Sequence, residues 1–535
     1  MREITLEAAR LLERAQTGEA VAARSRAEEV LRAVTGDLVD GPACMHFVRL
    51  VSFIAQADPA AAVEAADLML PSTEREGSVG WRACALASRA WQRLRLGQMD
   101  PAENDVDRVL RDLVAAEALA AEEREPIAAV NSLVAVAIGY WELRLYELAA
   151  PQFQLAYEMS RADDGQNGNR AMWLLNLAEM HLGWALELYQ ISQVEEAEEH
   201  TAEAERYAMR AADEVSGDDA DAWRENALLY AACSRADRDD PAGAAADIET
   251  YLARLEARGF MPAAMTIGKP FYAVALSRSG RPEEALRVMA DAVRDLPPDA
   301  DWLAVASTHR TRTVLMANLG SADAEAALAY GDSLAAALWR QRQNTLHAAR
   351  SLHDLEALRL QHEQMARVAD LDALTGIANR RAFDHALAEA RTAPDATRRR
   401  SAVLLIDTDR FKQINDTRGH AAGDAALRAI AAALSAQAGP EDLVARLGGD
   451  EFAALLHGCE EAAATDVAER MVEAVRAIQD CPATLSIGIA VASDDELPAA
   501  LERADEAMYA VKRAGGDGVR RCDEDEDEDE AALAA

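Results

Sequence analysis

Small residues recur along the first three-fifths of this chain at a pitch that few folds accommodate. Taking Ala90, Ala137, Ala185, Ala232 and Ala273 as equivalent points, the steps are 47, 48, 47 and 41 residues. A step of that length holds two helices and their turn, and a small side chain at a fixed position lets helix axes approach closely. Alanine makes up roughly a fifth of the chain, and it is the best intrinsic helix former. From Met1 to about Ala327 strand-like alternation is absent, and breaks fall at Gly97, Gly165 to Gly168, Asp239 to Gly243, Gly280 and Pro297-Pro298. An all-α solenoid of helical hairpins is expected over residues 1–327, with an irregular helical bundle as the alternative.

The clearest unit is FYAVALSRSGRPEEALRVMADAVRDLPP. Ala273, Ala285 and Ala292 occupy close-packing positions of two helices, Gly280 breaks the chain between them and Pro297 ends the second. The spacing recurs at Ala137, Ala149, Ala156 and at Ala185, Ala197, Ala204. This pattern resembles a tetratricopeptide repeat, although the step exceeds that family's 34 residues. The resemblance implies a sensor or interaction region that takes a protein or peptide partner on its concave face.

Residues 328–369 contain one glycine and no proline, with Leu352, Leu355, Leu358 and Met365 as an apolar stripe. A connecting helix is expected, either paired in a two-chain coiled coil or packed as a single helix on the solenoid. Past Asp370 the texture becomes mixed α/β. SAVLLID (Ser401 to Asp407) reads as a buried strand, Asp424 to Ala438 as a helix, and LVARLGGDEFAALL as a hairpin turning at Gly448-Gly449. ATLSIGIAVA (Ala483 to Ala492) reads as a strand and Leu497 to Ala514 as a helix. Residues 522–535 carry an unbroken Asp/Glu run from Asp523 to Glu530, which self-repels and is expected to be a disordered tail.

A formal net charge of -38 disfavours a nucleic-acid partner, and no recognition-helix motif supports a transcription regulator. Six scattered cysteines without metal-ligand spacing fit reduced thiols. Glu7 and Glu13 interrupt the start, and the longest uncharged stretch, Pro126 to Trp141, is too short to span a membrane. A cytoplasmic protein with no membrane span is the expectation.

The chemistry concentrates near Asp407. A strand ending in Asp407, beside a turn presenting Asp450 and Glu451, brings carboxylates together, and Mg²⁺ needs only one or two of these with waters and substrate phosphates. Gly448 and Gly449 let the backbone approach a bulky phosphorylated ligand. Lys412, Arg446 and Lys512 are of the type that neutralises phosphate. These residues point to a metal-dependent nucleotide site without fixing its reaction.

Three segments, DALTGIANRRAF (Asp372 to Phe383), DTDRFKQINDTRGHAAGD (Asp407 to Asp424) and ARLGGDEF (Ala445 to Phe452), occur in order. Together they resemble the GGDEF family of diguanylate cyclases over residues 370–521. The resemblance implies an α/β domain with a mainly antiparallel central sheet flanked by helices. It implies condensation of two GTP molecules into cyclic di-GMP with loss of pyrophosphate, by a homodimer with two Mg²⁺ or Mn²⁺ ions per active site.

Residue by residue, the resemblance makes Asp407, Asp450 and the Thr408 carbonyl metal ligands, and Asn415 and Asp424 guanine readers. Lys412, Lys512 and the backbone near Arg410 and Phe411 hold phosphates. Gly448 and Gly449 belong to the GTP site, and Arg446 and Glu451 join Lys412 and Asp450 in catalysis. Three departures stand out: Thr408 and Arg410 replace apolar residues, Gly516 stands where the family commonly has arginine, and Gly439-Pro440-Glu441-Asp442 lacks the arginine of the family's product-inhibition site. Feedback inhibition by that route is therefore not expected. The alternative reading is an inactive, GTP-binding domain on a protein-interaction scaffold.

Overall fold

The computed structural model describes residues 2–35, 40–99, 105–161, 170–215, 220–258, 262–296, 300, 302–392, 400–479 and 481–522. The breaks expected at Gly165 to Gly168 and Pro297-Pro298, and the acidic run, lie outside the described residues. The chain divides into two compact units, Met1–Ala357 and Leu358–Ala535.

Every described element of the first unit is helical. In order these are α1 (Arg2–Arg14), α2 (Ala20–Thr35), α3 (Ala43–Ala55), α4 (Pro59–Glu76), α5 (Val79–Met99), α6 (Val106–Glu122), α7 (Pro126–Glu142) and α8 (Tyr146–Arg161). They continue as α9 (Arg170–Gln190), α10 (Val194–Glu214), α11 (Ala220–Cys233), α12 (Pro241–Ala257), α13 (Pro262–Arg278), α14 (Pro282–Arg294), α15 (Trp302–Asn318) and α16 (Ala322–Ala369). The equivalent alanines fall on alternate helices: Ala90 on α5, Ala137 on α7, Ala185 on α9, Ala232 on α11 and Ala273 on α13. All five are fully buried. Gly97 does not break the chain, because α5 continues through it to Met99; a lone glycine weakens a helix without ending one.

Six turns between consecutive helices share one geometry among the described residues. Ala57, Gly77, Arg144, Ser192, Gly280 and Gly320 each have left-handed φ, between 55° and 88°. The next residue's N–H bonds back five positions, as in Leu145 to Tyr140, Gln193 to Leu188 and Arg281 to Leu276. This is the Schellman closure of a helix end. Three helices, α4, α7 and α12, begin on an acid and a proline: Asp58, Glu125 and Asp240 cap the N-termini by accepting from Ala61, Ala128 and Gly243, each with proline next in sequence.

α16 is one 48-residue helix whose first part packs within the first unit. Leu346 and Ala349 join the core there, while Leu355, Leu358 and Met365 are exposed. The Arg342 side chain is fully buried, pairs with Glu147 and donates to the Arg144 carbonyl at 2.6 Å. Its guanidinium lies over the rings of Trp339, Tyr146 and Trp184 at 4.4, 5.2 and 5.9 Å, so the desolvated charge keeps several partners.

The second unit is a three-layer α/β fold. Its elements are β1 (Ala378–Asn379), α17 (Arg380–Thr392), β2 (Arg400–Asp409), α18 (Phe411–Arg418), α19 (His420–Ser435), β3 (Leu443–Gly448), β4 (Glu451–Leu456), α20 (Glu461–Arg476), β5 (Thr484–Ser493), α21 (Leu497–Arg513) and β6 (Gly518–Arg521). The sheet order is β1-β3-β4-β2-β5-β6. The three central pairings are antiparallel and the two edge pairings parallel. The helix expected from Asp424 to Ala438 starts four residues earlier and ends at Ser435.

Side chains of β2 alternate between two cores. Ala402, Leu404 and Ile406 face α19 and α20, whereas Val403 and Leu405 face α17 and α21. Both faces are covered, so the strand reads as a continuous apolar run. α21 lies so close to β5 that a Cβ at Gly488 would stand 2.0 Å from the Ala504 carbonyl oxygen.

Three outcomes follow from this packing. Ser192→Gly removes a Cβ from a left-handed turn and should raise the stability of the helical unit by about 1 kcal/mol in denaturant titration. Gly488→Ala forces α21 away from the sheet and should cost about 3 kcal/mol or more by the same measurement, because the clash is with backbone.

The third concerns pH. His181 and His200 face each other at 3.0 Å (Nδ1 to Nδ1), and His200 stacks on Trp184. Burial, then His200 and Arg206, pushes His181 down to about 3, and burial, then Arg342, pushes His200 down to about 4. Both rings are therefore neutral in the fold, while an unfolded chain takes up protons below about 6.5. Their contribution is complete above pH 6.5 and lost as pH falls toward 4. His181 alone should account for about 2 kcal/mol by pH 5. Melting across that range, compared with His181→Gln, checks it.

Candidate active site

Antiparallel pairing builds the acidic corner. β2 and β4 pair in a register that sets Asp407 opposite Glu451, and the Thr408 N–H donates to the Asp450 carbonyl at 3.1 Å. Asp407 is nearly buried, Asp450 half-buried and Glu451 exposed. The turn joining β3 to β4 has Gly448 at φ 151° and Gly449 at φ 55°. The left-handed value at Gly449 is one that glycine adopts without the usual steric cost.

The corner concentrates negative charge. Burial raises the Asp407 carboxyl above the ordinary range, the Lys512 ammonium opposes that shift, and Asp450 and Asp409 add to it. Lys512, in the last turn of α21, sits 2.6 Å from Asp407 Oδ2. Two carboxylates and the Thr408 carbonyl are hard oxygen donors, a set suited to Mg²⁺ completed by substrate phosphates. Among the described residues no group of three or more acids, histidines or cysteines closes into a ready metal cage.

Arg446 serves the turn. Its Nη1 contacts Asp372 Oδ1 at 3.0 Å, while Nε and Nη2 donate to the Gly449 carbonyl at 3.0 and 2.7 Å. Asp372 also accepts from the Thr375 N–H and hydroxyl, and with Arg446 these bonds hold its carboxyl below the usual range despite burial. Asn379 Nδ2 bonds the carbonyls of Ala369 and Leu371. Hydrogen bonds thus run from the end of α16 through β1 and β3 to the turn that presents Asp450.

Across the sheet end, Arg410 adopts left-handed φ of 58° and starts α18. The first N–H groups of that helix, at Phe411 and Lys412, have no intrahelical acceptor, which suits an anion. Lys412 and Asp424 are exposed, and Asn415 is half-buried. Gly423 makes room for Asn415: a Cβ there would lie 2.0 Å from Asn415 Oδ1 and 3.2 Å from the Phe411 ring.

One departure gains a physical account. Gly516 has φ 79°, and a Cβ there would meet the Asp409 carboxylate at 2.7 Å. The fold therefore spends this position on backbone rather than on an arginine. Asp442 accepts from the Gly439 and His457 N–H groups at 2.7 and 3.0 Å, closing the turn into β3.

Sequence reasoning gave no role to Asp372, Asp409, Gly423 or Gly488. For Asp409 a signal was available: acids two apart on a strand share a face. Close backbone approach, as at Gly423 and Gly488, leaves no such mark.

The chain has known relatives over this unit. The family model for the diguanylate cyclase GGDEF domain matches residues 369–518. Diguanylate cyclase TpbB of Pseudomonas aeruginosa is 43% identical over 175 residues, covering 30% of this chain and 40% of TpbB. The probable diguanylate cyclase DgcE of Escherichia coli is 37% identical over 172 residues, covering 31% of this chain and 16% of DgcE. The solved GGDEF domain of TpbB is 40% identical and covers 28% of this chain and 98% of that chain, with a TM-score of 0.27. This chain spans less than half the length of either curated relative. Residues 369–518 form a GGDEF domain.

Proposed function

We propose that this chain is a diguanylate cyclase that condenses two GTP molecules into cyclic di-GMP and releases two pyrophosphates. The observation that carries the reading is the corner itself: Asp407 pairs with Lys512 and the Thr408 N–H bonds the Asp450 carbonyl, within a matched GGDEF domain. Asp407, Asp450 and Thr408 would hold Mg²⁺ or Mn²⁺. When bound, the metal supplies Lewis acidity toward the 3′-hydroxyl and the α-phosphate.

The protein's own groups do the rest. Lys512 exchanges its contact with Asp407 for a substrate phosphate, and Lys412 with the N–H groups of Phe411 and Lys412 holds the remaining charge. Asp424 accepts from guanine N1 and N2 hydrogens and Asn415 completes the base edge, which selects GTP over ATP. Arg446 keeps the Asp450 turn in place and lends positive charge near the reacting phosphates, and Glu451 lies at the mouth. Each domain carries one GTP, so the enzyme is a homodimer in which two sites face each other.

Control belongs to the helical hairpins of residues 1–327, read as tetratricopeptide-like and as the seat of a protein or peptide partner. α16 joins them in sequence to the start of the GGDEF domain, and exposed Leu355, Leu358 and Met365 offer a seam for a coiled coil with a second copy. The expected location is the cytoplasm; among the described residues no helix is long and apolar enough to cross a membrane.

Product analysis of the full chain incubated with GTP and Mg²⁺ tests the reading. It should give cyclic di-GMP and pyrophosphate in a ratio of about 1:2 by the reaction's balance, and Asp450→Ala should lower the rate at least about 1,000-fold with an unchanged melting profile. A confirmed dimer that binds GTP and makes no product would instead assign an inactive domain on an interaction scaffold.

A further inference from the structure

Asp409, two residues beyond the metal-binding Asp407, is tied on three sides. Its carboxylate accepts from Thr484 Oγ1 at 2.8 Å, from Ser486 Oγ at 2.6 Å and from the Asp517 N–H at 2.8 Å. Thr484 and Ser486 belong to β5, in register with Asp409 and Asp407. Asp517 belongs to the turn that follows α21, three residues after the helix that carries Lys512 ends with its C-cap at Ala514.

That turn is conformationally demanding. Gly515, Gly516 and Asp517 have successive φ values of 117°, 79° and 56°, and the last is a non-glycine residue in left-handed space. Such a segment persists only where its surroundings over-determine it. Asp409 grips it from the sheet side, and Arg476 grips it from α20 through the Asp517 side chain and carbonyl at 2.8 and 3.0 Å. Gly516 leaves the space that the Asp409 carboxylate occupies.

We infer that Asp409 is a positioning residue that locks the end of β2 to the turn after α21 and thereby sets Lys512 against Asp407. It touches neither phosphate nor metal. Its carboxylate fixes the distance between the strand end that supplies a metal ligand and the helix end that supplies a phosphate ligand. The inference rests on the proposed nucleotide site, and it extends that site to a residue outside the ligand set. It also accounts for glycine at 516: a side chain there would displace the carboxylate that organises the pair.

The test compares the full chain with Asp409→Ala, Asp409→Asn and Gly516→Ala. One arm measures binding of the α,β-methylene analogue of GTP with Mg²⁺; the analogue cannot release pyrophosphate, so this arm needs no turnover. The other measures kcat and KM with GTP. Asp409→Ala should weaken analogue binding and raise KM about 10-fold, with kcat changed less than about 3-fold, because ground-state phosphate contacts are lost first. Asp409→Asn keeps two acceptor lone pairs and should recover part of the loss, and Gly516→Ala should show the same KM-weighted signature.

A fall in melting temperature with unchanged analogue binding and KM in Asp409→Asn and Asp409→Ala would make Asp409 a packing residue and overturn the inference. If Asp409→Ala does not fold, Asp409→Asn and Thr484→Val, which removes one of the three bonds, decide it on the same readouts. Wild-type binding of the analogue without product would overturn the cyclase reading alone, leaving the binding arm to judge Asp409. No wild-type binding would overturn both.

Discussion

Carboxylates crowded at the end of one buried strand need a cation, and the C-terminal unit is arranged around that need. β2 is covered on both faces, so its end projects Asp407 from low-dielectric surroundings rather than from open water. Burial and the neighbouring acids both disfavour its charge, and Lys512 at 2.6 Å is its direct counter-ion. An ion pair of this kind is a poor source of stability, because desolvation consumes most of the attraction. It is a good source of readiness: a ligand bringing both a divalent cation and phosphates satisfies acid and lysine at once.

The rest of the unit fixes the parts of that corner at short range. Hairpin register brings Asp450 to Asp407, Arg446 with Asp372 closes the turn, Gly488 lets α21 lie on the sheet, and Asp409 ties the helix end to the strand end. In the first unit an analogous economy appears in the hairpin turns, where one left-handed residue and one bond back five positions recur. The Arg342 contact has the same character, a charge buried only because rings, a carbonyl and a carboxylate receive it.

Much of this was legible in the sequence because the relevant signals were local or periodic. Alanine spacing located alternate helices, since a fixed small residue is what close packing demands, and the strand ending in Asp407 announced itself by its apolar run. The turns of the helical unit were less legible. Arg144 and Ser192 hold the left-handed positions where glycine would have marked them, and Gly97, which did look like a break, sits inside α5. Contacts between distant segments left no trace at all. Nothing in the string links Arg342 to Glu147, Asp409 to Asp517, or Gly488 to Ala504, because those depend on the packing of whole elements.

In the proposed function metal and nucleotide bind together at this corner. Mn²⁺ binding followed by electron paramagnetic resonance, with and without GTP, addresses that directly in the wild-type chain and in Asp407→Asn. The account predicts that GTP tightens Mn²⁺ binding at least about 10-fold, or about 1.4 kcal/mol, and that Asp407→Asn removes the gain. Equal Mn²⁺ affinity with and without GTP, or a gain that survives Asp407→Asn, would contradict it.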